Sequence, residues 1–138
     1  MRIAQPISLA GLIALQIVLV SGCTSPMAPV VTQVPAGSLK AHPAIYLQAR
    51  VQRPRIIDSL HGAGIRTTSL TKEADYILTV VVGKRRVKMQ CGGMHNIIYT
   101  LGGMGYQLME IKARGMTGEC IPNILDEMSQ TLASYFGS

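Results

Sequence analysis

Chemistry in this 138-residue chain has to come from few groups: Cys23, Cys91 and Cys120, three histidines, and seven carboxylates. Asp58 and His61 have the spacing of neighbours on one helix turn. No serine in an activated motif accompanies them, so the pair reads as a solvated helix face. Cys91 and His95 stand four apart, and Cys120 would offer zinc a third ligand. Two cysteines in an oxidising compartment pair with each other more readily than they hold metal, so a disulfide is expected there and a metal is not. The runs "CGGM" (91–94) and "GGMG" (102–105) lack the lysine and the strand-to-helix setting of a phosphate loop, and read as turns. No catalytic constellation is visible, no cofactor is expected, and an enzyme is the weakest reading.

Two features are left for binding. Lys84, Arg85, Arg86 and Lys88 place like charges side by side, with Arg50, Arg53, Arg55 and Arg66 candidates to join them. In a strand, Lys84, Arg86 and Lys88 would share one face, suited to anionic headgroups or an acidic partner. An edge strand shielded from aggregation by charge explains the same cluster equally well. The second feature is surplus aliphatic surface: 48% of residues are hydrophobic, with 8 methionines and one phenylalanine. Ile77, Val81, Ile98, Met109 and Ile111 are candidates for a face left to another protein, against the commoner fate of packing in the core.

The compartment follows from the amino-terminal stretch. The apolar run Ile7 to Val20 reaches roughly 21 Å as a helix, short of a hydrocarbon core of about 30 Å, and it is apolar on every face. Arg2 before it and Ser21-Gly22 after it complete the three parts of a secretory signal. The residues Val20-Ser21-Gly22-Cys23 resemble the lipobox of bacterial lipoproteins. That resemblance implies acylation of the Cys23 thiol, cleavage just before it, and stable attachment through two or three acyl chains. Thr24, where inner-membrane lipoproteins tend to carry aspartate, points to the outer membrane. The expected divisions are a signal peptide over 1–22, a proline- and serine-rich flexible tether over 23–43, and one domain over 44–138. Of the 13 basic residues only Arg2 falls in the signal, which leaves 12 against 7 acidic ones. An exported protein meets anionic lipid or an acidic partner with such a surface, and nucleic acid is not an expected partner.

The elements that must position these groups are legible in outline. "AIYLQARV" (44–51) alternates as a half-buried strand, and "RPRIIDSLHGAG" (53–64) reads as a helix with Pro54 in its first turn and glycines at its end. "IRTTSL" (65–70) suits a short edge strand, while "ADYILTVVVG" (74–83) is apolar on both sides and suits a central strand covered twice. "HNIIYTL" and "YQLMEIKA" around "GGMG" form a hairpin, and "PNILDEMSQTLASYF" a helix capped by Asn123. The expected fold is α+β, a two-layer sandwich with a mixed or antiparallel sheet of about four to five strands and two helices on one face.

This order, with "GI", "EADYILTVVVG", a late strand and a "TGE" turn at Thr117 to Glu119, resembles a class of small periplasmic domains. The class includes the curli-secretion lipoprotein, lipoprotein activators of penicillin-binding proteins, a lipoprotein of exopolysaccharide export and the amino-terminal domain of TolB. The resemblance implies a non-enzymatic accessory or scaffold role in envelope assembly or secretion, with a protein partner and sometimes ring formation. The alternative is a binding module for anionic envelope lipid or glycan through the basic cluster.

Overall fold

The computed structural model describes residues 26–84, 93–103, 105–118 and 123–137. In chain order these form β1 (Met27–Gln33), β2 (Ala44–Ala49), α1 (Arg53–Gly62), β3 (Arg66–Thr68), a 3-10 turn (Thr71–Glu73), β4 (Tyr76–Val82), β5 (Met94–Gly103), β6 (Tyr106–Met116) and α2 (Ile124–Ala133). The strands make one mixed sheet in the order β1-β6-β5-β4-β2-β3. β2 runs parallel to both β3 and β4, and the remaining pairs are antiparallel.

Local chemistry sets the helix boundaries. The chain turns out of β2 through Gln52 in the left-handed region (φ 55), and Pro54 then fixes φ within the first turn of α1. Gly64 ends it with φ +80, a conformation that costs a residue without Cβ little. At α2 the Asn123 side chain accepts the Leu125 N–H at 2.8 Å, while its amide donates to the Gly118 carbonyl at 2.6 Å. Asp126 and Glu127 then meet the positive end of that helix.

Both helices lie on the same side of the sheet. Ile45, Leu47, Leu78, Val80, Ile97, Tyr99, Leu101, Met109 and Ile111 pack there against Ile56 and Leu60 of α1 and Leu125, Met128 and Leu132 of α2. Each such side chain contributes about 1.5–3 kcal/mol by leaving water. Two polar contacts add to this packing: Ser59 donates to Asp126 at 2.7 Å within the helix layer, and the Tyr99 hydroxyl lies 3.2 Å from Ser129 Oγ, between sheet and helix. The α+β sandwich is therefore as expected in layering, but the sheet has six strands, one more than the range read from the pattern.

The extra strand is β1, inside the stretch read as tether. Its Val30 and Val31 pair with Lys112 and Ile111 of β6, Thr32 falls at a register shift, and Pro29 is tolerated because an edge strand leaves one row of N–H groups unused. Proline-rich composition concealed a short β-branched run. β4 also departs from expectation. It is central, with Leu78 and Val80 buried under the helices and Tyr76 and Val82 packed beside them, but Val81 on its other face is 55% exposed. Cys23, Cys91, Cys120, Arg85, Arg86 and Lys88 lie outside the described residues.

Candidate functional site

Side chains with reactive potential are engaged in local contacts. On α1 Asp58 is exposed, and His61 Nε2 shares a hydrogen bond with Thr67 Oγ1 at 3.0 Å, which ties the helix to the edge strand β3. His95 Nδ1 lies 2.8 Å from the Gly83 carbonyl and so donates to it, holding the start of β5 against the end of β4. Among the described residues no three His, Cys, Asp or Glu side chains converge as metal ligands.

The face of the sheet opposite the helices carries the surface that sequence reading anticipated, with two residues removed. Ile77 and Val81 of β4 and Ile98 of β5 point to it. Val81 pairs with Ile98, and Ile98 with Lys112. Met109 and Ile111 belong to the other side: their partners Leu101 and Tyr99 are core residues, and both are fully buried. In a strand a shift of one position reverses the face, and only the hairpin register fixes which parity points inward. A polar row crosses beside the apolar group. Gln48 accepts from Thr79 at 3.2 Å, Thr79 pairs with Thr100, and Thr100 with Glu110. Among the described residues no helix lies on this face.

At the carboxyl ends of β2 and β4, Val51 (50% exposed) and Val81 line a cleft of about 540 Å³ with Arg50 beside them. Lys84, exposed, follows two residues after Val82, and it is the one member of the basic cluster within the described residues. Arg53 donates to the Leu47 carbonyl at 2.8 Å and Arg55 to the Thr117 carbonyl at 2.9 Å, so both gather at this same end. Arg66, by contrast, is at the opposite end, where it donates to the His42 carbonyl at 3.1 Å.

That opposite end holds a cluster that sequence reading missed. Asp75, just before β4, accepts from Lys40 Nζ at 2.6 Å and from the Ala44 N–H at 2.8 Å. The lysine contact holds its carboxyl below the ordinary value, with the Ala44 bond adding to the effect. The neighbouring Tyr76 hydroxyl accepts the Lys40 N–H at 2.8 Å, and its ring lies parallel to Phe136 at 6.3 Å. These contacts line one side of an open cleft of about 790 Å³ beside β3, where Lys40 and Arg66 face Glu73 and Asp75. Mixed charge on a wide opening suits a clamp on the incoming chain better than a ligand site. Glu110 does the same for β1: it accepts from Thr32 Oγ1 at 3.0 Å and lies 3.3 Å from Lys112, and these contacts lower its pKa. The only local signal for either clamp is a carboxylate next to or within a strand.

No protein-family model and no curated protein matches the chain. Among solved structures it is similar to the PelC dodecamer from Paraburkholderia phytofirmans, with 13% identity, a TM-score of 0.50, and coverage of 78% of this chain and 97% of that one. A variant of that protein, also a dodecamer, gives a TM-score of 0.48 at 13% identity, covering 80% and 99%. A minor lipoprotein from Acinetobacter baumannii gives 0.40 at 10% identity, covering 69% and 90%. At these identities the likeness is one of fold.

Proposed function

We propose that this chain is an outer-membrane lipoprotein whose α+β domain, on the periplasmic side, serves as a non-enzymatic accessory subunit of an envelope assembly or secretion machine and works as a homo-oligomer. The observation that carries this reading is the fold, which nearly the whole PelC protomer shares and which PelC uses in a dodecamer. Carrying an accessory role from that fold to this chain is the proposal. The sheet face with Ile77, Val81 and Ile98 supports it, because an apolar group on a face that no helix covers among the described residues is the kind of surface that subunits bury. The lipobox-like Val20-Ser21-Gly22-Cys23 supports the anchor.

Affinity purification from detergent-solubilised membranes, followed by native mass measurement and identification of what co-elutes, tests the reading. A discrete oligomer with a stoichiometric envelope protein is expected. A monomer accompanied by lipid or glycan alone overturns it in favour of a binding module. Palmitate labelling tests the anchor separately: incorporation is expected in the wild-type chain and its loss in Cys23→Ala.

A further inference from the structure

We infer that the domain is seated on the membrane by one particular end, the end bearing Arg50, Lys84 and Arg114, and that its partner there is the anionic phospholipid surface of the membrane that holds Cys23. This inference rests on the proposed acylation of Cys23.

Its first ground is the start of β1. Cys23 is four residues before Met27, a span of at most about 14 Å of extended chain. A tether running to residue 43 would leave the domain free to tumble. A strand starting at Met27 leaves almost no slack.

Topology supplies the second ground. Met27 pairs with Arg114, near the carboxyl end of β6. β6 is antiparallel to β5 and β5 to β4, so the carboxyl ends of β6, β4 and β2 share one edge of the molecule with the amino end of β1. The anchor therefore leaves the fold at the edge where Arg50 follows β2, Arg53 and Arg55 open α1, Lys84 follows β4, and Arg114 lies beside Met27. Among the described residues the acids on this edge are Asp126 and Glu127, in the first turn of α2. Asp126 accepts from Ser59, and Glu127 shares a cleft with Arg114. Glu73 and Asp75 lie at the far end of β4.

Charge turns a tied corner into a seated edge. With only Met27 held, the sheet could hang from that corner at any angle. Cations spread along the edge from Arg114 through Lys84 to Arg50 are drawn to anionic headgroups within a Debye length and bring the whole edge down. The exposed Val51 lies on the same edge and meets the interface with it.

Amine footprinting of the acylated chain, added to preformed vesicles and reacted with a membrane-impermeant acylating reagent, tests the seating. Lys84 and Lys72 lie beyond opposite ends of β4, at least about 20 Å apart along a seven-residue strand. On vesicles of phosphatidylethanolamine with phosphatidylglycerol, Lys84 labelling is expected to fall at least about threefold relative to detergent while Lys72 labelling holds. On phosphatidylcholine alone the fall at Lys84 is expected to be smaller. Equal changes at the two lysines, a fall confined to Lys72, or indifference to lipid charge overturn the seating even when palmitate shows the anchor to be present. A chain that carries no palmitate overturns both.

Discussion

At the scale of single residues, two positions show how closely the layers approach. A Cβ on Gly115 of β6 would stand 2.7 Å from the Cβ of Ile124, where α2 begins. Gly115→Ala is therefore expected to force strand and helix apart and cost about 1–3 kcal/mol, measured as a lower midpoint in urea unfolding. Tyr99 is the second. Burial against α2 pushes its hydroxyl pKa from the ordinary 10.0 up to about 12, with the Ser129 bond opposing the shift. A phenol that ionises less readily folded than unfolded leaves stability intact below pH 10 and erodes it as the pH rises through the folded value. Denaturation at alkaline pH should show this slope in the wild-type chain and lose it in Tyr99→Phe. Asn123 could be read as a cap from its place before an amphipathic run, because capping is local. Gly115 and Tyr99 could not, because what crowds them comes from another part of the chain.

At the scale of elements, the join between the amino-terminal segment and the sheet is the least secure. β1 is held by its register on β6, by Thr32 on Glu110, and by Gln107 donating to Gln33 at 2.6 Å; the following segment is clamped by Lys40 on Asp75. Both carboxylates are half-buried and have lowered pKa values, from ordinary values of 3.8 for Asp75 and 4.5 for Glu110. Their contribution is fully present above those values and is lost as the pH falls through the lower folded ones. Hydrogen-exchange protection over residues 27–40, taken relative to the intrinsic exchange rate at each pH, is therefore expected to be lower near pH 3 than at pH 6 before the β4–β6 core responds; equal protection at both would refute the clamp. The hairpin and α2 were legible because their periodicity is strong and their turns are short. β1 was not: its seven residues contain a proline and follow a small-residue stretch, and only β6 gives it a partner.

For the whole molecule, the expected Cys91 to Cys120 disulfide is open to direct test. Met94 and Met116 are register partners, and they stand three and four residues from the two cysteines. Alkylation without reductant should leave both thiols unmodified, and reduction should expose them together. Closing the loop across their separation of 29 positions adds about 3.5 kcal/mol in the chain-entropy view, so reduced protein is expected to melt measurably lower. Labelling of both without reductant would remove the bond.

The sequence by itself determined the elements with a clear local signal: the alternation of β2, the apolar run of β4, the hairpin, the two helices with the Asn123 cap on the second, and hence an α+β sandwich. It also set out the two binding features, a basic run and surplus apolar side chains, but as separate facts. Tertiary structure decided which parity of each strand points to the helices, so that Met109 and Ile111 entered the core while Val81 stayed outside. It also decided where the sheet begins. Both depend on pairing between strands far apart in the chain, a free energy that no local window contains. The same long-range pairing carries the start of β1 to the edge where Arg50, Lys84 and Arg114 lie, and so joins the proposed anchor to the charge.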